Sequence, residues 1–250
     1  MVDYRTAVRA ALWVVAVGLP LGVAAQPLSG NGFMFGAPEG TFTLRAGYAQ
    51  PTAGSEVFSF SRQHLTMGRN DFAGSSLSAD LGFFVSERFA LQLSAGLSTR
   101  TVGTEFRDWV DNKKLPIQQS SSLRRMPIMI GLRYYLSSPG RSLGQLAWVP
   151  SRITPYVAAG VGAMWYSFRQ TGDWVDYQTL DVFPATLESS SWAGAGYGAV
   201  GVDYAMSPRV GLVGEARYDR AHARMSSDFV EFDRIDLSGV SATLGLMFRF

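Results

Sequence analysis

The sequence predicts an all-β protein, a transmembrane antiparallel up-and-down β-barrel of eight strands. Three observations carry this. Apolar side chains recur at every second position in eight separate segments. The connections between those segments alternate between short and long. The face opposite the apolar one holds Gly, Ser, Thr and a few charges rather than dense Lys and Glu. A period of two is the mark of a strand, whose side chains alternate between faces. Strands of about 9–11 residues with one apolar face suit a bilayer-spanning barrel.

The segments follow in order. Residues 40–49 set Phe42, Leu44, Ala46 and Tyr48 against Thr41, Thr43, Arg45 and Gly47. Residues 76–85 set Leu77, Ala79, Leu81, Phe83 and Val85 against Ser76, Ser78, Asp80 and Gly82. Residues 89–100 set Phe89, Leu91, Leu93, Ala95 and Leu97 against Gln92, Ser94, Gly96, Ser98 and Arg100. Residues 123–136 set Met126, Ile128, Ile130, Leu132, Tyr134 and Leu136 against Arg125, Gly131 and Arg133. Residues 153–167 set Val157, Ala159, Val161, Ala163 and Trp165 against Ala158, Gly160, Gly162 and Met164. The glycine-rich segment 191–204 is read with Val200, Val202 and Tyr204 outward and Gly201 and Asp203 inward. Residues 209–220 set Val210, Leu212, Ala216 and Tyr218 against Gly211, Glu215, Arg217 and Asp219. The eighth segment, 238–250, ends on Leu244, Leu246, Phe248 and Phe250 of one face.

Short turns are expected at Ser86-Glu87-Arg88 and Ser207-Pro208, with a longer one over 137–152. Long loops are expected over 50–75, 101–122, 168–190 and 221–237. Short turns on one rim and long loops on the other are the pattern of an outer-membrane barrel. Aromatic residues sit toward both ends of the apolar faces, as in interfacial girdles: Tyr48, Trp165, Trp192 and Tyr218 at one, Phe89, Tyr134, Tyr204, Phe248 and Phe250 at the other. A soluble lipocalin-like barrel would invert the pattern, with its charge outside.

Composition agrees. Only 17% of residues are charged, below the roughly 25% of an average soluble protein. A net charge of +2 is too small to point to nucleic acid. Arg5, Arg9, the apolar run to Val23 and the small residues Val23-Ala24-Ala25 read as a secretory signal over 1–25. A periplasmic segment over 26–39 and the barrel over 40–250 follow. With no cysteine in an exported chain, stability must come from elsewhere, and a closed barrel supplies it by pairing every backbone group between strands.

The chain resembles the OmpA/OmpX-like eight-stranded outer-membrane barrels, the outer membrane protein beta-barrel domain group. The resemblance rests on Gly131-Leu132-Arg133-Tyr134-Tyr135-Leu136, on residues 154–162 (Thr-Pro-Tyr-Val-Ala-Ala-Gly-Val-Gly), and on Phe248-Arg249-Phe250. It implies residence in the bacterial outer membrane. It implies that Phe248 and Phe250 form the aromatic-ended signal read by the outer-membrane assembly machinery. No wall-binding module is expected after strand eight.

Three places are candidates for function. Arg45, Asp80, Arg100, Arg133, Asp203, Glu215, Arg217, Asp219 and Arg249 are expected to face the lumen as a charge network, either a structural plug or a narrow gate. His222 is the candidate catalytic base. Deacylases among barrels of this kind carry a His-x-Ser pair, whereas here Ser226 stands four residues away and Asp228 six, so no catalytic site is assigned. Two histidines and no cysteine leave no metal site, and no cofactor is expected. In the long loops, Asp108-Trp109-Val110-Asp111 echoes Asp173-Trp174-Val175-Asp176-Tyr177, so Trp109, Trp174 and Tyr177 are contact candidates for an extracellular ligand. The expected function is structural or surface-interactive, with a narrow channel as the alternative and a lipid-modifying enzyme third. The expected partners are outer-membrane lipid and lipopolysaccharide, the assembly machinery, and a ligand of the loops.

Overall fold

The computed structural model describes residues 32–110, 115–144, 146–175, 182–229 and 232–250, with the backbone alone of Asp108, Trp109 and Ser227. The expected signal over 1–25 lies outside these residues, as does Tyr177.

Eight antiparallel strands make the barrel: β1 (Gly40–Pro51), β2 (Gly74–Phe84), β3 (Phe89–Val110), β4 (Pro116–Tyr135), β5 (Ile153–Val175), β6 (Val182–Ala205), β7 (Val210–Arg224) and β8 (Gly239–Arg249). Each pairs with the next, and β8 returns to β1 through Phe248↔Phe42, Leu246↔Leu44 and Leu244↔Ala46. The ring is therefore closed. Phe250 completes the seam: its N–H donates to the Gly40 carbonyl, and its own carbonyl accepts from Glu39 and Gly40. Its ring packs edge-on against Phe83 at 6.4 Å.

The apolar face points outward along the membrane-spanning part. Leu44, Leu77, Leu93, Ile130, Val161, Val200 and Leu244 are all exposed, while Thr43, Asp80, Gln92, Met129 and Met247 opposite them are buried. Tyr48, Trp192, Tyr218, Phe89 and Phe248 are exposed on the outer surface as girdle residues would be.

Two of the expected long loops are not loops. Over 101–110, 116–122, 168–175 and 182–190 the chain stays in strands, and β5 pairs with β6 from Ile153↔Tyr204 to Val175↔Val182. Beyond the belt pair Trp165↔Trp192 the hairpin runs on to Val175↔Val182, about ten residues per strand, or roughly 33 Å of strand. The reason is an inversion of polarity. Below the belt apolar side chains face lipid. Above it Val102, Phe106, Ile117, Leu123 and Phe168 turn inward and are buried, whereas Thr101, Glu105, Arg169 and Thr171 face out. The period of two persists, but its apolar phase shifts by one.

The extension is a curved four-stranded sheet, β3 to β6, with two open edges. Both are covered. Residues 65–66 dock on β3: Thr66 N–H donates to the Glu105 carbonyl at 2.8 Å, and Leu65 bridges to Phe106. At β6, Ser226 Oγ donates to the Glu188 carbonyl at 2.7 Å, and Glu188 N–H donates to Asp228 at 3.1 Å. Helix α1 (Glu56–His64), inside the first long loop, lies in the concavity, with Val57, Phe58 and Ser61 buried. Phe58 contacts Phe72 at 5.1 Å and Phe168 at 5.6 Å, and Phe168 contacts Phe229 at 5.6 Å. An apolar core therefore fills the space above the lumen.

The 137–152 turn also differs from a plain turn. Gly140–Leu143 and Ala147–Pro150 form a hairpin, and Met34–Phe35 adds a third strand.

Leu244 is 75% exposed in mid-strand. Leu244→Arg should cost about 2–4 kcal/mol in urea titrations of the barrel in lipid vesicles, the depth-dependent penalty for a cation in the bilayer. A neutral result would mean that this face does not meet lipid.

Candidate functional site

Closing eight strands leaves an interior just wide enough for side chains, so whatever faces inward must pack or pair. Arg45 on β1 is the centre of the lower layer. Its guanidinium contacts Asp80 of β2 at 2.8 Å and Glu215 of β7 at 2.9 Å, with all three side chains almost fully buried. Gln92 donates to the other Asp80 oxygen at 2.9 Å, and Tyr156 donates to Glu215 at 2.8 Å. Arg133 completes the layer. It lies 3.9 Å from both Asp203 and Glu215, and its guanidinium carbon sits 4.1 Å from the Tyr156 ring centre. Glu215 thus meets two arginines and a tyrosine. Pairing of this density is what offsets the desolvation of buried charge.

A second layer lies above. Arg217 pairs with Asp219 at 2.8 Å, stacks 3.8 Å from the Tyr197 ring centre, and reaches Ser94. Arg125 spans to the far rim, donating to Ser98 at 3.2 Å and to the Leu237 carbonyl at 2.8 Å. Between the layers is a cavity of about 40 Å³ bordered by Arg45, Ser94, Arg125, Glu215, Arg217 and Asp219, room for a few water molecules.

Inner-face glycines make this packing possible. Tyr197 lies over Gly131 and Gly160, and Tyr156 lies over Gly201, so a Cβ at any of the three would collide with a ring or a neighbouring carbonyl. Glycine is used here for close approach rather than for a turn.

Both mouths are covered. At the short-turn rim Trp148 is 5% exposed, with the Arg249 guanidinium 5.8 Å from its ring. Arg249 also donates to the Pro208 carbonyl at 3.4 Å. At the other rim the aromatic core around Phe58 and Phe168 sits over the lumen.

The structure brings Arg45, Asp80, Arg133, Asp203 and Glu215 into one cluster and Arg217 with Asp219 into another, while Arg249 stands at the rim. Arg100 is placed differently from expectation: it is exposed at the upper rim, where it donates to the Asp71 carbonyl at 3.0 Å. Its parity is inward, but β2 begins only at Gly74, so the strand wall beside it has ended. Residues outside the expected charge network also contribute: Gln92 and Arg125, already legible as inward-facing, and Tyr135, Tyr156 and Tyr197, whose inward parity is the sequence signal for them.

The loop candidates separate. Trp174 is half-buried within β5, directly across from Phe183, and Trp109 belongs to β3, so both sit near hairpin ends rather than in loops. Of the histidines, His64 Nδ1 lies 3.0 Å from the Phe60 carbonyl on α1, and His222 lies 3.6 Å from Asp236. Ser226 and Asp228 engage Glu188 instead.

Replacing Glu215 with alanine strips Arg45 and Arg133 of a shared partner and should destabilise the barrel by about 3–5 kcal/mol, read from urea midpoints in micelles. A cost below about 1 kcal/mol, the value of an exposed pair, would show that the arginines re-pair freely and that the layer is not tightly built.

A family model described as outer membrane protein beta-barrel domain matches residues 14–250. No curated protein matches the chain. Among solved structures, a major outer membrane protein from Thermus thermophilus is 14% identical with a TM-score of 0.47, covering 84% of this chain and 99% of that one. OprG from Pseudomonas aeruginosa is 14% identical with a TM-score of 0.45, covering 87% and 99%. Neisserial surface protein A is 12% identical with a TM-score of 0.45, covering 86% and 99%.

Proposed function

This chain belongs to the outer membrane protein beta-barrel domain family and resides in the bacterial outer membrane, and we propose that it is a closed, non-catalytic barrel that presents two long hairpins for interaction outside the cell. One observation carries this reading: the lumen is crossed by two layers of paired charged side chains and capped at both mouths, while the β3–β4 and β5–β6 hairpins extend far beyond the girdle. A strand extension of roughly 33 Å with its own apolar core exceeds what anchoring in lipid requires. The ends of those hairpins are where an extracellular ligand would be met, and Trp109, Trp174 and Tyr177 are the residues proposed to meet it. Short turns inside and long hairpins outside is the orientation of such barrels.

Purified protein in planar bilayers should give no conductance steps. Reproducible steps whose size changes in Arg217→Ala would instead support a narrow channel, with the Arg217–Asp219 pair as its constriction. Lipid A mass spectra with and without expression should be the same. An acyl change abolished by His222→Ala would replace this reading with an enzymatic one.

The assembly role of the last strand is proposed on the same terms. Phe250→Ala should slow insertion in vesicles containing the assembly machinery and leave insertion into bare vesicles nearly unchanged. Equal rates with the machinery present would remove Phe250 from the signal.

A further inference from the structure

The outer surface of β7 changes character just above the girdle. Leu212, Ala216 and Tyr218 face lipid, and the next residues of the same parity are Arg220, His222 and Arg224, all exposed. The short strand Arg234–Asp236 continues the β8 side of this pair, with Arg224↔Arg234 and His222↔Asp236 as direct partners. His222 and Asp236 are matched, at 3.6 Å. Arg224 and Arg234 are not: two exposed arginines stand opposite each other, Cβ atoms about 4.5–5.5 Å apart, an arrangement that is destabilising unless an anion lies between them.

The acids nearby have other partners. Glu188 pairs with Arg169 at 2.7 Å, Asp219 pairs with Arg217 on the inner face, and Asp228 accepts from the Glu188 N–H. Asp233, exposed beside Arg234, offsets one charge of three.

Beside this cluster lies a second, independent feature. On β6, Gly194, Gly196 and Gly198 take the three successive outward positions below Trp192. Gly196 is the partner of Arg220 and Gly198 that of Tyr218. The inner-face glycines make room for tyrosine rings, but these do not. A Cβ at Gly194 or Gly198 would meet nothing within 4 Å, and one at Gly196 only the Gly160 carbonyl at 3.6 Å. Glycine weakens a strand interior, and nothing inside the molecule requires it here. The result is a furrow on the lipid face, bounded by Trp192, Tyr218 and Val161, that leads up to Arg220.

The geometry points to a binding site for a phosphorylated, acylated glycolipid of the outer leaflet, with its phosphate held by Arg220, Arg224 and Arg234 and an acyl chain lying in the glycine furrow. Guanidinium groups match phosphate in charge and in planar donor geometry. The height is right, because the cations begin one outward position above a girdle tyrosine, where lipid headgroups start. The inference rests on the outward orientation of the long hairpins proposed above. Binding in micelles does not depend on orientation in a cell, so failure of the site and failure of the orientation can be told apart.

The test is native mass spectrometry of the folded full-length barrel released from micelles, with bis-phosphorylated lipid A as the probe. Wild-type protein should retain one lipid A. Dephosphorylated lipid A should be held at least about tenfold more weakly, the scale of one lost charge-assisted contact. The double variant Arg224→Ser with Arg234→Ser should lose the phosphorylated lipid by a similar factor, and Gly196→Leu should weaken both lipids by filling the furrow. Folding of each variant is read from its heat-dependent gel mobility, and the dephosphorylated arm needs no variant. Equal retention of the two lipids by wild type would overturn the proposal. So would displacement by inorganic phosphate alone, which would mark a simple anion site. A lipid-independent dimer broken by Gly196→Leu would assign the furrow to a second copy of the chain and overturn it as well.

Discussion

Every peptide group within the bilayer must find its partner in the protein, because lipid offers none and an unpaired group costs several kcal/mol. The closed ring of eight strands meets that constraint, and the remaining features follow from it. Closure through β8 and β1 leaves no edge in lipid. It also fixes the register, and register fixes which side chains share a layer. Thr43 opposite Asp80, Arg45 opposite Gly245, and Thr243 opposite Glu215 place charges from three strands at one level of the lumen. The Arg45 contacts are thus a consequence of backbone pairing as much as of charge.

One strand serves two solvents. Along β3 and β5 the outward residues are apolar beside lipid and polar beyond it, and the inward residues do the reverse. The lower part is a membrane barrel with a polar inside. The upper part is built like a soluble sheet, with an apolar core around Phe58, Phe72 and Phe168. Because water can satisfy backbone groups there, the ring need not stay closed. It opens into four strands whose edges are covered by residues 65–66 and by Ser226 with Asp228.

Glycine acts in two opposite ways on the same wall. Facing in, Gly131, Gly160 and Gly201 accept the rings of Tyr197 and Tyr156, so a lumen that is narrow for eight strands still holds aromatic and guanidinium groups in contact. Facing out, Gly194, Gly196 and Gly198 leave open a strip of surface that meets only the membrane. The arginines divide likewise: Arg45 and Arg133 are satisfied within the fold, while Arg224 and Arg234 face each other across a strand pair and look outward.

The sequence alone determined the number of strands, their order, their facing and their home, since alternation is a local property and lipid imposes it on each strand separately. The facing of Arg45, Asp80, Arg133 and Glu215 could be read from parity for the same reason. What only the tertiary structure decided is where the strands end and who meets whom. Residues 101–122 and 168–190 hide their strands because the apolar phase shifts when the surroundings change from lipid to water. Arg100 keeps an inward parity but loses its wall where β2 has not yet begun, and a neighbouring strand's length cannot be seen from residue 100. Tyr156 reaches Glu215, and Arg224 meets Arg234, only through pairings between segments distant in the chain, which no local period encodes.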